Sequence, residues 1–291
     1  METLETEERK PSARKGIRFS TARYYFEKGL MAVQDLLPDD SFWFKNYFIE
    51  LNEFFLAGAD KQKPHIKLVQ FSDLHLKTIS GRLKQTVAKV NSMQPDLIFF
   101  TGDSVDNTVY LPVFENFMQL FDKRVQKIAI LGNWEIHGGV DVKRLRKIYT
   151  DNNCLLFINA TRQFTFKNKT VSITGIDDSY AGNADFQAAV KDYKKSDYHI
   201  VLSHCPEHRD IISTQLTDQI PVDFILSGHT HGGQLNFLGL TPQLPIGSGN
   251  YLSGWYNHTA PPLYVSKGLG TSILPLRLGC KAEIAVFNLE A

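Results

Sequence analysis

The chain from residue 65 onward alternates short apolar runs with stretches of amphipathic spacing. Six runs lead into polar side chains, and they cover residues 66–73, 96–103, 127–133, 171–178, 199–204 and 223–229. Because these runs are apolar at successive positions, they are typical of strands buried on both faces. Helices are expected at 81–93, 111–122, 141–151 and 184–195, and two further strands at 263–268 and 283–289. The pattern therefore predicts a layered α/β sandwich.

Residues 1–62 do not follow this pattern and are predicted to form an N-terminal extension of a larger domain over residues 63–291. The first 16 residues are charged and are expected to be disordered. Apolar side chains at helical spacing then predict an aromatic helix, and they are Phe44, Tyr47, Phe48, Leu51, Phe54 and Phe55. This helix either packs on its own domain or meets lipid headgroups and acyl chains. The side chains expected at such an interface are Phe42, Trp43, Phe44, Lys45, Arg18, Arg23 and Lys28.

Composition narrows the classes of partner and compartment. The chain has 32 Lys and Arg against 31 Asp and Glu, so its net charge of +1 provides no overall field that attracts nucleic acid. No nucleic-acid partner is expected, and no protein partner is evident. The cysteines Cys154, Cys205 and Cys280 are widely spaced and odd in number, which favours a reducing compartment. A run of 18 apolar residues is absent from the sequence, so neither a spanning helix nor a secretion signal is expected.

Five of the apolar runs lead into polar clusters with side chains that suit divalent cations. Singly, such residues are more often helix caps or surface side chains. Together, their carboxylate, imidazole and amide groups at successive strand ends indicate a site for two metal ions. Alternation along an extended strand end predicts that Asp73 and His75 share one face, and that His229 and His231 also share one face. The candidate ligands are Asp73, His75, Asp103, Asn133, His204, His229 and His231.

These clusters read DLH (73–75), GDSVD (102–106), GNWE (132–135), SHCP (203–206) and GHTHGG (228–233). In this order they resemble the motif blocks of the calcineurin-like metallophosphoesterase superfamily. The resemblance implies an α-β-β-α sandwich of two mixed β-sheets flanked by helices, which follows the aromatic helical extension. It implies one metal held by Asp73, His75, Asp103 and His231, and a second held by Asp103, Asn133, His204 and His229. Asp103 then bridges two divalent ions, with Mn²⁺ expected and Mg²⁺, Fe²⁺, Zn²⁺ or Co²⁺ possible.

The resemblance also implies hydrolysis of a phosphoester by a hydroxide that the two metals share, so Asp103 and Asn133 are expected to act in catalysis. The family's GNH[DE] block is GNWE here, and Trp134 replaces a histidine that assists the leaving group. Because indole carries no titratable proton, the replacement favours pyrophosphate substrates, which release a phosphate with a pKa of roughly 6. Alternatively, His137 reaches back and takes the catalytic role. Trp134 and Glu135 are expected at the substrate, although Glu135 alternatively caps the following loop.

Three further carboxylates, Asp106, Asp177 and Asp178, are expected to hydrogen-bond the ligand histidines rather than bind metal. A pyrophosphate preference combined with a lipid-contacting segment points to a lipid-linked nucleotide. The chain is similar to the membrane-associated UDP-2,3-diacylglucosamine pyrophosphatases of lipid A biosynthesis, in particular the chlamydial type. That resemblance implies the products lipid X and UMP, and a peripheral position on the cytoplasmic face of the inner membrane. The alternatives are a general phosphodiesterase or phosphatase of this superfamily and a non-catalytic scaffold with the same fold.

Overall fold

A computed structural model describes residues 49–291 apart from residues 57, 236–243, 259 and 274–275. Its strands are β1 (Glu50–Leu56), β2 (His65–Phe71), β3 (Leu97–Thr101), β4 (Gln126–Ile130), β5 (Cys154–Leu156), β6 (Ala160–Phe166), β7 (Lys169–Gly175), β8 (Tyr198–Leu202), β9 (Phe224–Ser227), β10 (Gly254–Tyr256), β11 (Leu263–Val265) and β12 (Glu283–Glu290). Its helices are α1 (Gly81–Ser92), α2 (Leu111–Met118), α3 (Asn133–His137), α4 (Val142–Asp151), α5 (Phe186–Ala189) and α6 (His208–Gln215).

The strands form two mixed sheets of six strands each. The order in the first sheet is β1-β12-β2-β3-β4-β5, and the order in the second is β10-β11-β9-β8-β7-β6. Strands β2 to β5 run parallel, whereas β12 pairs antiparallel with β2. In the second sheet, β7, β8, β9 and β11 run parallel, and β6 and β10 pair antiparallel at its two edges. Parallel strands place the residues that follow them at one common edge.

Apolar side chains divide the molecule into four layers. The inner faces of both sheets pack on each other through residues such as Leu68, Phe99, Ile173 and Leu226. Helices α1, α2 and α4 cover the outer face of the first sheet, and α5 and α6 cover that of the second. The predicted α-β-β-α sandwich of two mixed sheets is confirmed. Among the described residues, no helix is both long and apolar enough to cross a bilayer.

Side-chain caps explain where the main helices begin. The Ser80 hydroxyl accepts the N–H of Leu83 (3.1 Å), and the Asp141 carboxylate accepts that of Arg144 (3.0 Å). The helix predicted at 184–195 is wrong in length, because α5 spans only Phe186–Ala189. Side chains of the second sheet take the carbonyls that a longer helix would use, as in the bond from Thr161 to Ala189 (2.7 Å). Two further bonds from side chains of the second sheet end at the carbonyls of residues 194 and 195.

The N-terminal aromatic helix is wrong for the residues that the structure describes there. Residues Glu50–Leu56 form a strand that pairs in parallel with β12, with Phe54 opposite Phe287. Phe54 stacks on Phe287 with 5.6 Å between the ring centroids, on the inner face of the first sheet. Leu51 packs on the outer face, as two-residue alternation requires. The rest of the predicted stripe, Phe44, Tyr47 and Phe48, and the proposed interfacial side chains lie outside the described residues.

Candidate metal centre

The predicted ligands lie just beyond the ends of β2, β3, β4, β8 and β9, at an edge of the sandwich that we call the metal edge. The two sheets meet there through direct bonds. Nδ1 of His204, beyond β8, lies 2.7 Å from the carbonyl of Thr101 at the end of β3. The N–H of His229, beyond β9, donates to Oδ1 of Asp73 at 2.8 Å. Side chains from separate stretches of the chain therefore converge at one place.

The ligand backbone differs from the predicted extended alternation. Five of the seven ligands have φ in the left-handed region, between 41° and 74°: Asp73, His75, Asp103, His229 and His231. Asp73 and His75 follow the end of β2 rather than continue it. Tight left-handed turns bring Asp73 and His75 into one cluster, whereas His229 and His231 enter different clusters, so the prediction from strand alternation is wrong. Such a conformation costs of order 1–3 kcal/mol per residue and is concentrated at functional sites in folded proteins.

Two groups of buried side chains are placed to hold metal ions. The first cluster is Asp73, His75 and His231, and the second cluster is Asp103, His204 and His229. Within the first cluster, the two Nε2 atoms of the histidines face each other at 3.0 Å. Two nitrogens bound at about 2.1 Å to one cation, at a right angle, are about 3.0 Å apart. The spacing of the first cluster therefore fits two ligands of a single ion.

Asp103 lies between the two clusters. Its Oδ2 atom is 3.2 Å from Nε2 of His204 in the second cluster and 3.6 Å from Nε2 of His75 in the first. Asn133 joins the second cluster, because its Oδ1 lies 2.9 Å from Nδ1 of His229 and 3.2 Å from Nε2 of His204. All seven predicted ligands are thus brought together, and the place of Asp103 fits a carboxylate shared by two ions. The mixed oxygen and nitrogen donors suit hard to borderline divalent cations.

The ring nitrogens that face away from the clusters have fixed partners. Nδ1 of His75 is paired with the carboxylate of Asp106, as predicted. Nε2 of His229 lies 2.8 Å from the carbonyl of Ile246. Such outer partners orient a ligand ring and select its tautomer. The contacts shown for Asp177 and Asp178 are of another kind: they accept bonds from the loop at 180–183, and Asp178 also accepts the Cys205 thiol at 3.2 Å.

The buried carboxylates set the charge of the histidines. Burial lowers the pKa of His75, but Asp106 and then Asp103 outweigh burial and raise that pKa to about 9. Burial also opposes charge on His204, yet Asp103 raises its pKa well above the ordinary value. Burial raises the pKa of Asp103, whereas His204 and His75 lower it more strongly. These histidines therefore hold protons that a cation has to displace when it binds.

For the other two histidines, burial outweighs the nearby carboxylates and the pKa is lowered. Burial lowers the pKa of His229 to about 4, and the charge on His204 adds to this shift. Burial, His75 and Arg277 together lower the pKa of His231 well below its ordinary value. Both rings are therefore neutral near pH 7, which is the form that ligates metal. Each cluster combines a neutral imidazole with a carboxylate.

Glu135 has a different role from the one predicted. Its carboxylate is buried and accepts four backbone N–H groups, at distances from 2.5 to 3.3 Å. The donors are Gly132, Asp103, Ser104 and Val105. Burial, and then the charge of Asp103, raises the pKa of Glu135 to about 7. Since its oxygens are engaged by the loops that carry Asp103 and Asn133, we replace the predicted substrate-binding role by one of holding those loops together.

Trp134 and His137 both lie on α3 but point to different surroundings. The Trp134 ring meets His75 edge to face with 5.9 Å between centroids, and its backbone N–H donates to Oδ1 of Asp103 at 2.8 Å. His137 is exposed at the end of α3, where its ring meets the edge of Tyr180 at 5.3 Å. The metal-capable clusters found among the described residues do not include His137. Trp134 is therefore the α3 side chain that borders the first cluster.

Sequence reasoning missed a supporting loop at residues 266–270. The N–H of Gly270 donates to the carbonyl of Asp73 at 2.7 Å, and that of Leu269 donates to Ser72 at 3.0 Å. Gly268 has φ +67°, and a Cβ there would lie 2.6 Å from Cβ of Asp73. A side chain at this position would displace the ligand. The closely spaced glycines of SKGLG were the signal available in the sequence.

Comparison with known proteins identifies the family. Residues 66–233 match the family model described as calcineurin-like phosphoesterase. The chain belongs to this family. This calcineurin-like phosphoesterase is similar to the uncharacterized metallophosphoesterase YkuE of Bacillus subtilis strain 168, at 33% identity over 77% of this chain and 79% of the relative. It is also similar to the phosphodiesterase YaeI of Escherichia coli K12, at 26% identity over 83% of this chain and 88% of the relative.

Among solved structures, the crystal structure of a 5'-nucleotidase precursor from Thermus thermophilus aligns with a TM-score of 0.46 and 16% identity. The alignment covers 77% of this chain and 54% of the nucleotidase, so the chain spans about half the length of that protein. The family depends on two metal ions, and the chain carries two metal-capable clusters. It is a metal-dependent phosphoester hydrolase by family membership.

Proposed function

We propose that this chain hydrolyses a lipid-linked pyrophosphate, with UDP-2,3-diacylglucosamine as the specific candidate. The proposal rests on the place of Trp134 beside His75 at the border of the first cluster. Indole donates no titratable proton there. A general acid contributes about 10²- to 10⁴-fold when the leaving group is an alkoxide, whereas a phosphate with a pKa of roughly 6 departs without that help. The site therefore suits cleavage between two phosphates better than cleavage of an alkyl ester.

The chain's own groups prepare this chemistry. Two divalent cations bound at the clusters would supply Lewis-acid stabilisation to the attacking water and the phosphoryl oxygens. Asp103 would be shared between them, because it reaches both clusters. Asp106 and the carbonyls of Thr101 and Ile246 fix the orientation of the ligand rings. Trp134 packs edge to face on His75 at the border of the first cluster. Mn²⁺ is the cation that we propose, on the mixed oxygen and nitrogen donors.

An apolar rim beside the clusters supports a substrate with acyl chains. Most large apolar side chains of the described residues are buried, but four exposed ones lie on segments bonded to the loop that carries His229 and His231. The carbonyl of Ile246 accepts from His229 at 2.8 Å, and the N–H of Leu278 donates to the carbonyl of Gln234 at 2.9 Å. Exposed apolar side chains beside a binding site can contact an apolar part of a ligand. The apolar rim consists of Ile246, Ile273, Leu276 and Leu278, which are 69%, 61%, 39% and 41% exposed.

The proposal is tested with a matched substrate set in the presence of Mn²⁺. UDP-2,3-diacylglucosamine and UDP-N-acetylglucosamine share a pyrophosphate but differ in acyl chains, and bis-p-nitrophenyl phosphate reports diester cleavage alone. We expect UMP and the acylated sugar 1-phosphate by mass spectrometry, with kcat/KM highest for the acylated substrate. Ile273→Ser with Leu278→Ser should lower that value about 30-fold, by loss of roughly 1 kcal/mol at each of the two contacts. The control Ile211→Ser removes a side chain that is 51% exposed on α6.

A general phosphodiesterase is the second candidate, since the E. coli relative YaeI is named a phosphodiesterase. This function needs no acyl contact. It predicts faster turnover of bis-p-nitrophenyl phosphate than of either nucleotide sugar, and no response to the rim variants. That outcome would reject the lipid-linked substrate and leave the metal-dependent hydrolase in place. Binding of two cations without hydrolysis of any phosphate ester would instead favour a non-catalytic scaffold.

We also propose a peripheral position on the cytoplasmic face of a membrane, held by the aromatic segment before residue 49. The segment lies outside the described residues, so the support comes from its sequence, in which Phe42, Trp43 and Phe44 precede Lys45. Flotation of the full chain with anionic vesicles tests this position. Trp43→Ser with Phe44→Ser should reduce the floating fraction. Equal flotation of both proteins would contradict the proposal.

A further inference from the structure

Arg277 lies behind the first cluster and was not singled out in the sequence. Its side chain is 3% exposed, and its guanidinium contacts three backbone carbonyls. Nη1 donates to the carbonyl of His231 at 3.2 Å, and Nη2 donates to that of Lys267 at 2.8 Å. Nε donates to the carbonyl of Gly270 at 2.8 Å. A buried guanidinium with this many backbone acceptors fixes the relative position of the segments that supply them.

The two segments joined by Arg277 each support one ligand of the first cluster. Lys267 and Gly270 belong to the supporting loop, which donates to the carbonyl of Asp73 at 2.7 Å through the N–H of Gly270. His231 is a ligand itself. Arg277 therefore links the supports of Asp73 and His231, whose Oδ1 and Nε2 atoms are 3.7 Å apart.

Arg277 also reaches the imidazole of His231. Its Nη2 atom lies 3.3 Å from Nδ1 of that ring, on the side opposite Nε2. Nε2 faces His75 across the first cluster at 3.0 Å. The Cys280 thiol donates to the same His231 carbonyl, at 3.2 Å, so the segment 277–280 braces the ligand from behind. When Nε2 ligates a metal, Nδ1 of the neutral ring carries the proton, so Arg277 positions His231 through its backbone carbonyl and not through a hydrogen bond to the ring.

The second cluster is braced by other groups. The carbonyl of Thr101 is the partner of His204, the carbonyl of Ile246 is the partner of His229, and the backbone N–H of Trp134 bonds Asp103. Arg277 contacts His231, Lys267, Gly270 and Cys280, which support the first cluster. The bracing of the two clusters is therefore asymmetric.

We infer that Arg277 is a positioning residue that sets the affinity of one metal position, formed by the first cluster, and leaves the other position largely unchanged. The inference rests on the dimetal centre of the proposed function, but it does not depend on the identity of the substrate. Removal of an outer partner of a metal ligand commonly lowers metal affinity 10- to 100-fold. Only the cation at the first cluster should bind more weakly.

The test is a Mn²⁺ titration of the full, metal-depleted chain by calorimetry, with bound Mn²⁺ counted by elemental analysis after dialysis at fixed free Mn²⁺. We expect two bound ions in the unaltered chain. Arg277→Gln should bind one ion with unchanged Kd, and the Kd of the other should rise about 10- to 100-fold. Arg277→Lys keeps the charge but not the planar guanidinium, so its Kd for the weakened ion should lie between those of the unaltered chain and Arg277→Gln. Arg209→Gln is the matched control, since Arg209 is also buried (5% exposed) and bonds the carbonyl of Pro261 at 3.1 Å.

His231→Ala and His229→Ala identify the position that is lost. Arg277→Gln should match His231→Ala in metal content, and adding it to His231→Ala should not weaken the remaining ion further. Retention of both ions with unchanged Kd in Arg277→Gln would overturn the inference, as would equal weakening of both. If Arg277→Gln does not fold, the same criteria apply to Arg277→Lys. The Mn²⁺ titration uses no substrate. A lack of activity on lipid-linked pyrophosphates would therefore not change the conclusion about Arg277.

Discussion

Gly102 joins β3 to Asp103 at a point where the chain has no room for a side chain. Its φ is +93°, and a Cβ there would lie 2.8 Å from Cγ of His204 and 2.9 Å from Cα of Gly132. A left-handed conformation costs an L residue roughly 1–2 kcal/mol. Carbon atoms in contact are about 3.5 Å apart or more. Gly102→Ala therefore has to move the His204 ring by about 0.7 Å or push apart the loops that carry Asp103 and Asn133.

A shift of that size exceeds what a metal ligand tolerates, because ligand distances vary by only about 0.2 Å. The expected result is loss of the cation at the second cluster and a decrease in turnover of about 10²-fold. The assay combines Mn²⁺ titration with turnover of bis-p-nitrophenyl phosphate. Both quantities are measured on the same preparation, so metal loss and rate loss can be compared directly.

The control is Gly139→Ala. Gly139 has φ +64°, but a Cβ there would meet nothing within 4 Å. It carries the backbone cost without the overlap, so it should lose roughly 1–2 kcal/mol of stability and keep both cations. The reasoning is refuted if Gly102→Ala keeps two cations and turns over as fast as Gly139→Ala. In that case His204 would not depend on the bare backbone at residue 102.

Three other variants, the last with a matched control, test separate parts of the structure. Asp103→Ala should lower metal content in elemental analysis and abolish turnover, and retained turnover would exclude Asp103 as the shared ligand. Trp134→His should raise the rate on an alkyl phosphodiester relative to a pyrophosphate by about tenfold or more, and an unchanged ratio would count against the proton-donor argument. Lys127→Met removes the buried ammonium that donates to three backbone carbonyls at 2.7–3.1 Å. The free energy of unfolding measured in urea should therefore fall by about 3 kcal/mol. The control Lys147→Met, at a side chain that is 74% exposed, should change the free energy of unfolding by less than about 0.5 kcal/mol.

The buried strands and the ligand clusters were predictable because their signals are local. A run such as 96–103 is apolar on both faces and ends in the polar residue that the site uses, so strand and ligand appear together in the sequence. The same holds for the run at 223–229 that leads to His229. Convergence followed from parallel strand order, which brings the following residues to one edge. The seven ligands were found for this reason.

The error at β1 has a physical cause. Leu51, Phe54 and Phe55 stand at positions i, i+3 and i+4, which fit one face of a helix. Over only seven residues, these positions also fit a strand whose two faces are both partly buried. The partner that decides between them is β12, near the other end of the chain. Local periodicity contains no information about that pairing.

The roles of Glu135 and Arg277 could not be predicted for a similar reason. Glu135 bonds N–H groups at residue 132 and at residues 103–105, and Arg277 bonds carbonyls at residues 231, 267 and 270. Their targets are backbone groups, which every residue carries, so the sequence does not mark them. The left-handed φ of ligands such as Asp73 is equally unmarked, since aspartate is common in many conformations.

The direction of β1 has a practical consequence for handling this protein. Glu50 begins the strand and pairs with Lys267 at 2.8 Å, next to the glycine that packs on Asp73. The first residue of β1 therefore lies close to the loop that supports the first cluster. Glu290 instead pairs with His65 at the start of β2, on the remote side of the sandwich. An affinity tag or sensor-chip linkage after residue 291 should therefore leave the metal edge clear.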